Sequence, residues 1–219
     1  TLASSIVSSD PSLVLPRLGY VIKFPRQYEN YTYFGRGPLN NYADRKTGSF
    51  VGLYKSTARK QFVHFPKPQS MGNREDVRWC AITNGQETGL EIVASDAMST
   101  SFLPWSALQM TLAAHPHELP ETDGNYLHID CQVTGLGGNS CGQGGPLERD
   151  RVMGDRHQMK FIIRPVMKDT DLTSNAKVTT TQECPLSITR DRAGRVTVTG
   201  DNQVAHPSNI LYTISTPGQ

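Results

Sequence analysis

The sequence predicts an all-β fold. Three observations carry that expectation: short apolar runs alternate with polar residues, glycine and proline punctuate them, and only one segment has helical signals. The 19 Gly and 14 Pro are scattered through 219 residues without a period, which suits many short elements joined by turns. At 37% hydrophobic residues the chain can build a core, and its length fits one large domain or a medium domain with a small one.

The elements follow in order. Gly19–Phe24 and Tyr31–Phe34 are short aromatic and aliphatic runs with strand character. Val77–Ile82 and Leu90–Ala94, separated by a turn at Asn84-Gly85, predict a hairpin. Ser106 and Gln109 fit a helix capping box, with Leu108 and Leu112 on one face, and this helix should end before Pro116. In Tyr126–Val133, residues 127, 129, 131 and 133 are apolar while Tyr126, His128, Asp130 and Gln132 form a polar face, as in a half-buried strand. Met159–Pro165 is a further strand, closed by its proline. Cys80 and Cys131 sit in such runs and read as small buried hydrophobes.

After Val166 the composition shifts. Residues 168–177, beginning Lys-Asp-Thr-Asp, read as a linker after a domain over 1–167. Residues 178–219 form a small β-rich segment with a turn at Asp191–Gly194 and too few strands to close a sandwich.

Bulk properties exclude several functions. A formal charge of +2, with no long basic run, argues against nucleic-acid binding. No apolar stretch approaches the roughly 20 residues needed to span a bilayer, so no membrane is expected. Thr1–Val7 lacks the charged and apolar regions of a signal peptide, and without an initiator Met the chain is expected to be cut from a longer one. The four cysteines have no CxxC spacing, and neither a metal nor another cofactor is expected.

Four motifs hold the candidate chemistry. In Tyr33–Lys46, a glycine–proline turn precedes Arg36, Asn41, Tyr42, Asp44 and Arg45. Amides, a carboxylate, guanidinia and a ring together suit sugar hydroxyls and the C–H face of a sugar; a surface loop held by its own ion pairs is the commoner reading of such a run. Gly72–Trp79 places Asn73 and Arg74 within reach of a ligand, or else satisfied among their neighbours with Trp79 in the core. His115 and His117 share a direction if extended, but no third metal ligand lies at suitable spacing, so a backbone-bonded histidine is the default. Gly135–Pro146, with Asn139 and Cys141, is a glycine-rich turn that lets backbone approach a ligand and lacks the phosphate-loop ending. No carboxylate pair or nucleophile elbow stands out.

In sequence, Leu15–Gly19, Tyr33–Pro38, Asn41–Lys46, Val51–Tyr54, Gly72–Trp79, Leu103–Ser106, Ala114–Leu119 and Gly135–Gly142 resemble the C-terminal small-chain domain of family 2 β-galactosidases. The likeness covers about residues 13 to 166, and the ordered set is far more specific than any single motif. It implies a galactose-mutarotase-like supersandwich, in part, since the family domain begins upstream of Thr1. It also implies a catalytic (β/α)8 barrel elsewhere in the parent chain, with the two glutamates of a retaining hydrolase, and β-galactoside or galactose as ligand. The implied site residues are Arg36, Asn41, Tyr42, Asp44, Arg45, Asn73, Arg74, His117, Asn139 and Cys141, none catalytic. Two departures bear on sugar binding: Asn40 stands where many members carry an acid, and Cys141 where the best-known members carry Trp. A homo-oligomer surface is a further implication. The segment after Asn175 distantly resembles a fibronectin-like module ending some chitobiases. The competing reading is a stand-alone sugar-binding protein or mutarotase-like epimerase recruiting His115, His117 or Glu118.

Overall fold

The computed structural model describes residues 1–138 and 144–178, and the backbone of strands at 187–190 and 196–199. Among the described residues, ten strands precede residue 167: β1 (Leu2–Val7), β2 (Val14–Leu15), β3 (Arg17–Phe24), β4 (Asn30–Gly37), β5 (Phe50–Thr57), β6 (Arg74–Thr83), β7 (Gly89–Leu103), β8 (Asn125–Val133), β9 (Val152–Met153) and β10 (Arg156–Val166). Three short helices interrupt or follow them: α1 (Ala58–Gln61), α2 (Ala107–Leu112) and α3 (Leu172–Lys177). Strands β11 (Ser187–Arg190) and β12 (Val196–Thr199) pair antiparallel in a second unit.

Leu2–Lys177 form one compact unit around an eight-stranded sheet in the order β1-β10-β7-β6-β4-β5, with β8 and then β3 branching from β7. All its pairings are antiparallel. The branch arises because β7 is long: its first half pairs with β10 and its second half with β8. Tyr20 of β3 meets Phe161 of β10 edge to face at 6.4 Å, so the branch folds back over the main sheet as a sandwich. Tyr31, Val77, Ile92, Phe102, Leu127 and Phe161 fill the space between.

The structure supports the predicted hairpin. β6 runs into β7 through a turn in which Asn84 accepts from the N–H groups of Gln86 and Thr88; the left-handed residue is Glu87, not Gly85. The capping box at Ser106 and Gln109 is present. Its apolar assignment differs: Met110 is the buried residue of α2, while Leu108 and Leu112 face solvent. Six residues are too short for two leucines four apart to dictate which side packs.

Three further expectations change. The polar face of β8 is only partly open: His128 and Asp130 are buried, Tyr126 is half-buried and Gln132 is exposed. Pro165 does not close its strand but sits opposite Leu90 in the ladder. Residues 168–177, expected as a linker, include α3, whose Asn175 donates to the buried Glu91 carboxylate at 2.5 Å. Cys80 is buried as expected and Cys131 only partly so.

Candidate functional site

The segment after β4 is shaped by close approaches. A Cβ at Gly35 would stand 2.7 Å from Val77 Cγ2, and the Gly37–Pro38 peptide is cis. At Gly35 the chain passes directly against Val77 of β6. Tyr33, the last buried ring of β4, stacks on Tyr31 and Tyr54 at 4.8 and 5.4 Å.

Hydrogen bonds then join the first two motifs. Asn41 Nδ2 donates to the carbonyls of Leu39 and Arg36, and Asn41 Oδ1 accepts the Glu75 N–H at 2.7 Å. Asn73 Nδ2 donates to Asn41 O at 2.9 Å and to Glu75 Oε1 at 2.6 Å. Arg74 donates to Tyr33 Oη, Gly72 O, Asn73 O, Pro38 O and Gln61 Oε1. A guanidinium has five N–H donors, and Arg74 directs all of them into the protein. Asn41, Asn73 and Arg74 are buried, so the structure gives them an internal scaffolding place and not the ligand-facing one expected for Asn73 and Arg74. Tyr42 is also buried, and burial raises its phenol pKa.

Two acids, Glu75 and Asp130, are buried close enough to influence one another. Ser99 Oγ donates to Glu75 Oε1 at 2.8 Å, and desolvation raises the Glu75 carboxyl above the ordinary range. Asp130 forms a bond of 2.7 Å with Arg17 Nη2; burial pushes its pKa up to about 6 against the opposing pull of Arg17. His128 is forced down to about 3, first by burial and then by the Arg17 charge. Burial thus favours the neutral form of the histidine and raises both carboxyls above their ordinary range.

The rim above is exposed. Asp44 accepts the N–H groups of Leu136 at 3.1 Å and Gly137 at 2.7 Å, tying the glycine–proline segment to the glycine-rich turn after β8. Gly137 has φ +93°, and a Cβ at Gly135 would collide with the Asp44 carboxylate; glycine is needed at both. Tyr42 and Arg45 exchange backbone bonds that form the tight turn presenting Asp44. Arg36 pairs with Asp76 and donates to Ser49 O at 2.8 Å, and Lys46 lies 3.5 Å from the same aspartate. A left-handed φ of +55° at Asp76 marks the bulge that aims its carboxylate at these cations.

Beside the Asp44 clasp opens a cleft of about 380 Å³, lined by Ala43, Asp44, Lys46, Gly138, Arg149 and Asp150 among others. Carboxylates and cations on a concave surface suit a polyhydroxylated ligand. Lys46, Arg149 and Asp150 were not singled out from the sequence, since nothing local marks residues more than 100 positions apart as neighbours. Asn139 and Cys141 lie outside the described residues. His117 is on an exposed turn, where the nearby carboxylate is that of Glu118, four ångströms away; His128 is buried in β8. No helix among the described residues is long and apolar enough to cross a membrane.

The chain is 31% identical over 142 residues to a β-galactosidase of Priestia megaterium, covering 65% of this chain and 14% of the relative. It is 34% identical over 135 residues to a β-galactosidase of Arthrobacter sp. strain B7, covering 59% and 13%. A β-galactosidase of Lactobacillus delbrueckii subsp. bulgaricus is 32% identical over 155 residues, covering 70% and 15%. The chain thus spans about a seventh of the length of these relatives. The β-galactosidase small chain family matches residues 2–163, nearly all of the β-sandwich and its clasped rim, and this chain belongs to that family.

Proposed function

We propose that this chain is an accessory module of a retaining, family 2 β-galactosidase, a galactose-mutarotase-like supersandwich that braces a catalytic barrel and completes its galactoside site. One observation carries the reading: the Asp44 carboxylate fastens two glycine-bearing loops into a single rim. Such a rim, with Arg36, Arg45, Lys46 and Arg149 around it, offers positioning groups to a sugar. In a two-carboxylate displacement the acid and nucleophile come from elsewhere, and positioned hydrogen-bond partners contribute by holding the ring in reactive register.

The test uses the full-length parent enzyme. Asp44→Ala is expected to raise KM for a chromogenic β-galactoside about five- to tenfold with kcat changed less than about twofold, as when uniform binding is lost. An unchanged KM would remove the rim from the substrate site. The 219-residue chain alone is expected not to hydrolyse the same substrate.

A further inference from the structure

One cluster of potential ligands takes no part in the rim. α2 ends at its C-cap Ala113, and a 3-10 turn, Pro116–Glu118, follows with His115 as its extended N-cap. The ring of Pro116 fixes the backbone between the two histidines. As a result the imidazoles of His115 and His117 stack, with centroids 5.4 Å apart and planes 16° from parallel.

Glu118 folds back toward them. Its Oε2 accepts the Ala114 N–H at 2.8 Å, and its Oε1 lies 3.0 Å from His115 Nδ1 and 4.0 Å from His117 Nε2. One donor atom from each of the three side chains lies within 4.8 Å of the others. A zinc ion with nitrogen and oxygen ligands at about 2.0–2.2 Å in a tetrahedron needs neighbouring donors roughly 3.3 Å apart. The His115–Glu118 pair is near that spacing, and His117, 79% exposed, has to turn its ring inward to complete the set.

We propose that His115, His117 and Glu118 form a surface site for a borderline divalent cation of the Zn²⁺ class. Two imidazoles and one carboxylate select such ions over Mg²⁺ or Ca²⁺, which prefer all-oxygen shells. Pro116 and the Ala114 N–H hold the donors near their places before the ion arrives, which lowers the entropy cost of binding. The three protein ligands leave a fourth position for water or for a donor from a neighbouring molecule. A bound ion would cross-link the turn between α2 and β8. This site is independent of the proposed galactoside role.

Isothermal titration of the intact 219-residue chain with Zn²⁺, and separately with Mg²⁺, tests the assignment. Zn²⁺ is expected to bind with a micromolar dissociation constant, and Mg²⁺ not to bind at millimolar concentration. His117→Ala and Glu118→Gln are each expected to weaken the Zn²⁺ site tenfold or more while leaving the far-UV circular dichroism unchanged, because both side chains are exposed. Loss of binding in both variants supports the site. Undiminished Zn²⁺ binding in both variants, or no binding by the parent chain at 100 μM Zn²⁺ (an order-of-magnitude ceiling for a three-ligand site), overturns it.

Discussion

The buried knot around Arg74 and the exposed clasp at Asp44 are built from the same residue types, yet they do opposite things. Arg74 directs five donors at protein acceptors and is shielded from water. Asp44 spends its carboxylate on two backbone N–H groups while standing open to solvent beside a cleft. The difference teaches that a dense run of polar residues near glycines is two layers deep here. One layer supports, and the layer above it remains accessible to a ligand.

The sharpest way to break that contrast is Arg74→Ala. It strands the Tyr33 hydroxyl, the Gln61 amide oxygen and the carbonyls of Gly72 and Asn73 in the interior, and removes the bond to Pro38 O. The expected loss is about 3–5 kcal/mol in urea denaturation. Arg74→Lys should recover little of it, since an ammonium has three donors for five acceptors. A loss under 1 kcal/mol (roughly the scale of a surface site) would mean that the knot supports nothing.

A second, smaller effect concerns Glu91, buried beneath α3, whose pKa is pushed up to about 7 chiefly by desolvation, against the pull of Asn175 and Arg164. The folded chain holds a proton there that the unfolded chain gives up at ordinary glutamate pH. Its stabilising share is therefore full in mild acid and declines as pH rises toward and through 7. Asp130, at about 6, acts with the same sign. His128, held neutral at about 3, acts with the opposite sign and costs stability as pH falls below the usual histidine range. Glu91→Gln isolates the first of these. Between pH 5 and pH 8 the parent chain is expected to lose on the order of 2 kcal/mol relative to the variant; parallel denaturation curves at the two pH values would contradict the assignment.

The smallest effect is expected at the clasp. Asp44→Ala removes two hydrogen bonds at an exposed position, worth about 1 kcal/mol in global stability. Its larger signature is local: the Leu136 and Gly137 amides should lose protection in hydrogen exchange while those of β6 keep theirs. Equal loss in both places would erase the distinction between support and rim.

How much of this was legible in the sequence depends on the range of the interaction. The β6–β7 hairpin and the Ser106–Gln109 capping box were readable because their signals lie within a few residues of one another. The buried face of β8 was not, because Arg17, which pairs with Asp130, lies 113 positions away. The Leu108 and Leu112 face of α2 was misread for a similar reason, since a short helix takes its orientation from what it packs on. Glycines 35, 135 and 137 were legible as special positions, but only the tertiary structure shows that the Asp44 carboxylate is what occupies the space beside Gly135. The third donor beside His115 and His117 was adjacent in sequence and still missed: in an extended chain Glu118 points away from them, and only the 3-10 turn brings it back.

β7 has one more consequence. Because its fifteen residues are flanked by partners along both halves, neither layer can peel away while the other stays intact. Amides at Ile92, toward one end, and Thr100, toward the other, should thus exchange with deuterium at the same free energy, as parts of one cooperative folding unit.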